Sequence, residues 1–140
     1  MMAGRHAWAG GVAAGTLLAA MTVAGVRAGA GDPAKGKPLF EKCAACHAFD
    51  DSKMDGPTLK GMFGRKAGAL DAFRYSAAMK RSDVVWDEAT LDRFMADPQA
   101  FMRGNRMAFA GMGDATERAD LIAYILEQAA EPSSAPSSIR

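Results

Sequence analysis

Both cysteines of the chain fall in one pentapeptide, Cys43-Ala44-Ala45-Cys46-His47. This is the C-x-x-C-H signature of covalent c-type haem attachment. Two thiols three positions apart on a helical turn point to the same side and can add across the two vinyl groups of one porphyrin. The imidazole that follows is then carried under the ring, where it can ligate the iron. Three other chemistries compete for the same spacing. A redox dithiol opens a helix after a strand, and no strand pattern precedes Cys43. A structural zinc needs four ligands, and outside the pentapeptide the chain adds only His6 to the set. A disulfide across this spacing on a helix would be strained.

An iron held by one imidazole calls for a sixth ligand, and methionine and lysine are the types available after His47. Methionines stand at 54, 62, 79, 95, 102, 107 and 112, most of them expected to fill core. Met107 differs by lying in an irregular segment, Gly104-Asn105-Arg106-Met107-Ala108-Phe109-Ala110-Gly111. From a loop it can approach the face opposite a helix-borne histidine. Met95 lies on a helical stripe and reads as core, and Met112 is the main rival.

The elements that must position these groups are helical. Asp32 and Pro33 suit the cap and first position of a helix over Ala34 to Cys46, with Leu39 and Phe40 inward and Lys35, Lys37 and Lys42 outward. Residues Ala48 to Asp83 read as loop, punctuated by Gly56-Pro57, Gly61, Gly64 and Gly68, with one helical turn near Leu59 to Phe63. A helix capped by Asp87 runs to Ala96, and Asp97-Pro98 ends it and starts a short one. The last helix spans Asp114 to about Ala130, with Asp114 and Glu117 as a capping-box pair and Leu121, Ile122, Ile125 and Leu126 on one face. No alternating strand pattern appears, so the fold class is all-α.

The ends differ in composition from the rest. Arg5 and His6 precede an uncharged run from Trp8 to Val26, and Ala28-Gly29-Ala30 forms a small-x-small site. Residues 1–30 therefore read as a secretory signal peptide, which makes the protein periplasmic with Gly31 as its first mature residue. An uncleaved anchor is the rival, since the run is about as long as a membrane span. Residues 31–130 form the domain and 131–140, with two prolines and four serines, a disordered tail. Without Arg5 and Arg27, the 17 basic residues become 15 against 16 acidic ones. That balance gives no bulk basic character for nucleic acid or anionic membrane, so any electrostatic docking depends on uneven placement of charge.

From Gly31 to about Glu127 the chain resembles class I cytochrome c of the mitochondrial and related bacterial kind. Four blocks in order carry the likeness: Gly31 to His47, Gly56-Pro57-Thr58-Leu59-Lys60-Gly61-Met62-Phe63-Gly64-Arg65-Lys66, Asn105 to Gly111, and Glu117 to Tyr124. Tyr75-Ser76-Ala77-Ala78 and Val85-Trp86 are similar to the segments covering the haem propionates. The resemblance implies a cytochrome c fold wrapped around one covalent haem c, with thioethers at Cys43 and Cys46 and iron between His47 and Met107. It also implies that the Pro57 carbonyl orients His47, that the last helix crosses the first against Gly36 and Phe40, and that Trp86, Tyr75, Arg65 and Asn105 contact the propionates. Phe94 stands where the family commonly has a tyrosine bonding the methionine sulfur, and Met79 where a polar residue is usual.

The function so implied is a soluble, monomeric one-electron carrier rather than an enzyme, with no small-molecule substrate. A cytochrome bc1-type complex is the expected donor, and a terminal oxidase or photosynthetic reaction centre the acceptor. Lys42, Lys60, Lys66, Arg103 and Arg106 are candidates to steer the exposed haem edge. Two other classes stay open: a haem enzyme or gas sensor with a vacant distal site, and a redox subunit of a dehydrogenase complex.

Overall fold

The computed structural model describes residues 31–130, so the leader at 1–30 and the tail at 131–140 lie outside the described residues. Among the described residues six helices follow one another: α1 Pro33–Leu39, α2 Glu41–Ala44, α3 Ala77–Arg81, α4 Glu88–Ala96, α5 Pro98–Phe101 and α6 Ala115–Ala129. Among the described residues the only β pairing is an isolated antiparallel bridge, Lys66 to Val85. The all-α architecture is as expected.

Caps explain where the helices start. Asp32 accepts from Ala34 N–H, Asp97 from Gln99 and Ala100, and Asp114 from Thr116 and Glu117. The reciprocal capping box forms at Asp87 and Thr90 in α4, whereas at Asp114 the Glu117 return bond is not among those made. Hydrogen bonds from Thr90 hold the Asp87 carboxyl below the usual carboxylate range. A depressed carboxylate stabilises the fold above its unfolded pKa, and that contribution is lost as pH falls through the folded value. Asp87→Ala should therefore lower the melting temperature at neutral pH, and the difference from wild type should close in thermal melts run toward pH 3. An acid-independent difference would show that the cap's charge is not what stabilises α4.

Two expectations about the helices are corrected. The first helix is broken at Phe40, two residues after Pro38, which has no N–H to give to the preceding turn. Phe40 N–H is shared between the Gly36 and Lys37 carbonyls at 3.1 and 3.2 Å, and Phe40 itself stays right-handed helical. The chain therefore continues into α2 and delivers the pentapeptide. The turn at Leu59 to Phe63 is not helical, because Gly61 takes φ +59° and only the Met62 N–H to Leu59 carbonyl bond closes it. A helix does occur inside the expected loop. Ser76 caps α3 by accepting from Met79 N–H.

The core lies where α1 and α6 cross. Gly36 sits so close to α6 that a Cβ there would fall 2.0 Å from the Asp120 carbonyl oxygen. Beside it Phe40 packs on Tyr124 with centroids 5.5 Å apart and stacks on Phe49 at 4.7 Å. Leu121, Ile122 and Ile125 are buried from α6, and Leu91, Phe94 and Met95 from α4; Leu126 of the expected stripe is exposed. Full burial of each large apolar side chain contributes roughly 1.5–3 kcal/mol. The far end of α6 is tied to the loop after the pentapeptide, since the Ala129 carbonyl accepts from Gly61 N–H at 2.7 Å.

Candidate haem site

The pentapeptide begins in the last turn of α2. Cys43 N–H reaches the Phe40 carbonyl at 2.7 Å, and Cys46 and His47 N–H both reach Cys43 at 3.0 and 2.9 Å. Both thiols are free, Cys43 half-buried and Cys46 exposed. Burial pushes the Cys43 thiol above its ordinary value, partly offset by the neighbouring Lys42 charge. Among the described residues no group of three or more histidine, cysteine, aspartate or glutamate side chains is placed to hold a metal ion.

His47 is oriented by the segment that follows. Its Nδ1 lies 2.8 Å from the Pro57 carbonyl oxygen. A carbonyl can only accept, so Nδ1 carries the proton and Nε2 keeps the lone pair. The loop is closed by Gly56 N–H to Cys46 O at 2.8 Å and Leu59 N–H to Ala48 O at 2.9 Å. Gly56 is required by proximity, because a Cβ there would sit 2.6 Å from the His47 Cε1. Burial lowers the His47 pKa more than the Pro57 bond raises it. The Pro57 bond fixes the tautomer of the neutral ring, in which Nε2 is the donor nitrogen.

The methionines divide by packing. Met62, Met95, Met102 and Met112 are buried in the core, whereas Met107 and Met79 are only partly buried against it and Met54 is exposed. Met112 is further held by its N–H on the Met95 carbonyl at 2.9 Å. Met107 sits in a loop between Gly104 and Gly111, both at positive φ.

Arg65, Tyr75 and Trp86 come together around the isolated bridge. Trp86 N–H bonds the Arg65 carbonyl at 3.0 Å, and the Arg65 charge acts on the half-buried Tyr75 phenol. Burial pushes that phenol up, while Arg65 and a hydrogen bond with the Leu70 backbone pull it down. The Arg65 guanidinium also gives two N–H bonds to the Lys60 and Thr58 carbonyls, each 2.9 Å. Trp86 is 9% exposed and its ring meets Phe94 edge-on at 5.2 Å. Phe94, lacking a hydroxyl, joins a purely apolar stack that continues to Phe101 at 6.0 Å.

Asn105 is buried, and its amide N–H groups bond the Pro98 and Met102 carbonyls at 2.8 and 2.9 Å. The candidate cations are also unequal. Lys60 pairs with Asp51 at 3.3 Å and Lys66 with Asp83 at 2.8 Å, and Arg106 donates to the Arg74 carbonyl. Lys42 and Arg103 are exposed with no ion pair among the described residues.

The donor set suits a haem. Two free thiols, an imidazole fixed for Nε2 donation, a loop-borne thioether and a mainly apolar surround are what covalent attachment and axial ligation require.

Comparison with known proteins agrees. The family model for cytochrome c matches residues 33–129. Cytochrome c2 of Rhodomicrobium vannielii is 42% identical over 101 residues, covering 71% of this chain and 81% of that protein. Cytochrome c type-1 of Ascaris suum is 44% identical over 104 residues, 73% of this chain and 93% of that one. Among solved structures, cytochrome cH from Methylobacterium extorquens superposes with a TM-score of 0.66 at 42% identity, covering 69% of this chain and 99% of its own. Fold, motif and relatives converge, and the chain belongs to the class I cytochromes c, electron carriers with one covalently bound c-type haem and its iron.

Proposed function

We propose that the protein is a soluble, exported one-electron carrier whose haem is joined by thioethers at Cys43 and Cys46 and ligated by His47 and Met107. The observation that carries this reading is the 2.8 Å contact from His47 Nδ1 to the Pro57 carbonyl, which leaves Nε2 as the one donor nitrogen beside two free thiols. When bound, the haem supplies reversible one-electron chemistry at iron, and methionine ligation favours the reduced state. The chain's part is to hold that chemistry still. Pro57 and Gly56 fix the imidazole, the Asn105 loop presents Met107, and the aromatic stack of Trp86, Phe94 and Phe101 keeps water out. Arg65, Tyr75 and the Trp86 indole N–H are the groups that would bond the propionates.

The donor we infer is a cytochrome bc1-type complex, and the acceptor a terminal oxidase or photosynthetic reaction centre. Of the candidate cations, Lys42, Arg103 and Arg106 carry the steering of such short encounters, because lysines paired with aspartate contribute less field. Among the described residues no helix is long and apolar enough to cross a membrane.

The test is made on the purified holoprotein. Its mass should show one haem added to a chain beginning near Gly31, and the ferric form should show the weak red-edge band of an iron–sulfur axial bond. The ferrous form should take up carbon monoxide slowly or not at all. Rapid uptake with no sulfur band would overturn the carrier reading in favour of an open distal site.

A further inference from the structure

The loop carrying Met107 is gripped by one buried side chain. Asn105 is 6% exposed, and both its amide N–H groups and its carbonyl oxygen are bonded. Its Nδ2 donates to Pro98 O at 2.8 Å and Met102 O at 2.9 Å, one carbonyl at the start of α5 and one just past its end. Its Oδ1 accepts the Met107 N–H at 2.9 Å. One planar amide thus ties α5 to the backbone nitrogen of residue 107. Gln99 adds an outer hold, its Nε2 donating to the Asn105 carbonyl at 3.1 Å and its Oε1 accepting from Gly104 N–H at 3.4 Å. Gly104, at φ +84°, supplies the reversal that brings Asn105 back under the helix.

We propose that Asn105 is a positioning residue for the sixth ligand, an α5-anchored clamp that sets how readily Met107 leaves the iron. This rests on Met107 being that ligand. The physical argument is one of preorganisation. A thioether is a weak donor, so its hold on a metal depends on how little the loop gains by swinging away. Opening the loop breaks the Met107 N–H bond to Oδ1, and if Asn105 moves too the Met102 carbonyl loses both the side-chain and the backbone N–H of Asn105, while the Pro98 carbonyl keeps only the Met102 N–H. A residue bonded to a propionate would act differently, tuning the charge at the haem edge without holding the loop. The family hydroxyl at this position cannot make all three bonds, since it has one hydrogen where the amide has two.

The experiment is imidazole binding to the ferric holoprotein, because imidazole gains the sixth position only as fast and as far as Met107 yields it. Asn105→Ala should bind imidazole at least about tenfold more tightly than wild type, with the covalent haem retained. Asn105→Ser keeps a hydroxyl that can accept the residue 107 N–H more weakly, so its affinity should lie between the two. The serine variant alone decides the matter if the alanine protein does not assemble. Affinities in the variants equal to wild type, even with lowered melting temperatures, would overturn the proposal and leave Asn105 as ordinary loop packing. Met107→Ala separates the two claims. If it binds imidazole no better than wild type, the ligand assignment itself fails, whatever the Asn105 variants do.

Discussion

Met107→Ala should keep the covalent haem, lose the red-edge sulfur band and open the ferrous protein to rapid carbon monoxide binding. The proposed attachment is through Cys43 in α2 and Cys46 just beyond it, and neither is hydrogen-bonded to the loop at Gly104 to Gly111. The midpoint potential should fall by on the order of tenths of a volt, since axial ligands are the strongest lever on haem potential. Met112→Leu is the matched control. Met112 is 5% exposed and its backbone joins α4 through Met95 and α6 through the Arg118 guanidinium, which donates to its carbonyl at 2.8 Å. Bringing its sulfur to a metal would mean emptying part of the core, at about 2–5 kcal/mol for a side chain of this size. The leucine variant should keep the band. An unchanged spectrum in Met107→Ala would move the ligand to Met112 or a lysine and undo the assignment.

Contiguous motifs were legible in the sequence because their chemistry is set by spacing. The Cys43–His47 pentapeptide, the Gly56-Pro57 turn and the capped helices at Asp87 and Asp114 all rest on interactions a few residues long. The broken first helix was also within reach, as Pro38 advertises a missing N–H, yet the break falls two residues later where Phe40 N–H is shared. α3 was hidden for a different reason. Five residues are too short for a periodic stripe, and only Ser76 ahead of Ala77-Ala78-Met79-Lys80 marks it. The glycines at 56, 61, 64 and 68 signal loop more strongly than that single cap signals a helix.

What sequence could not supply was the use already made of polar side chains. Asn105 looks like a donor awaiting a ligand until Pro98 and Met102 are seen to occupy it. The Asn-x-Met spacing does contain the signal, because asparagine characteristically bonds the backbone two residues on. The lysines pose the same problem at longer range. Lys66 is 17 residues from Asp83, and no local rule connects them, yet the bridge between Lys66 and Val85 brings the two segments side by side. A cation chosen by sequence as a steering charge is thereby partly neutralised on its own surface.

The other large effect is on the crossing that holds the site together. Gly36→Ala reverses an ordinary preference. In a helix interior alanine is favoured over glycine by about 1 kcal/mol, but the Cβ here would lie 2.0 Å from the Asp120 carbonyl oxygen and 2.8 Å from the Tyr124 Cβ. The obstacle is helix backbone, which cannot swing aside as a long side chain does, so α1 and α6 must part. Overpacking of this kind costs about 1–3 kcal/mol and more when backbone is involved. For a domain of this size a loss of about 3 kcal/mol lowers Tm by roughly 12–24 °C. The damage should reach the site from both sides. α1 leads through Phe40 into the pentapeptide, and the Ala129 carbonyl of α6 holds Gly61, near the Pro57 carbonyl that orients His47. Gly113→Ala, where an added Cβ meets nothing within 4 Å, is the control and should melt within a few degrees of wild type. If Gly36→Ala melts with that control, the helices do not cross at backbone contact, and the account of how the fold holds His47 in place is wrong.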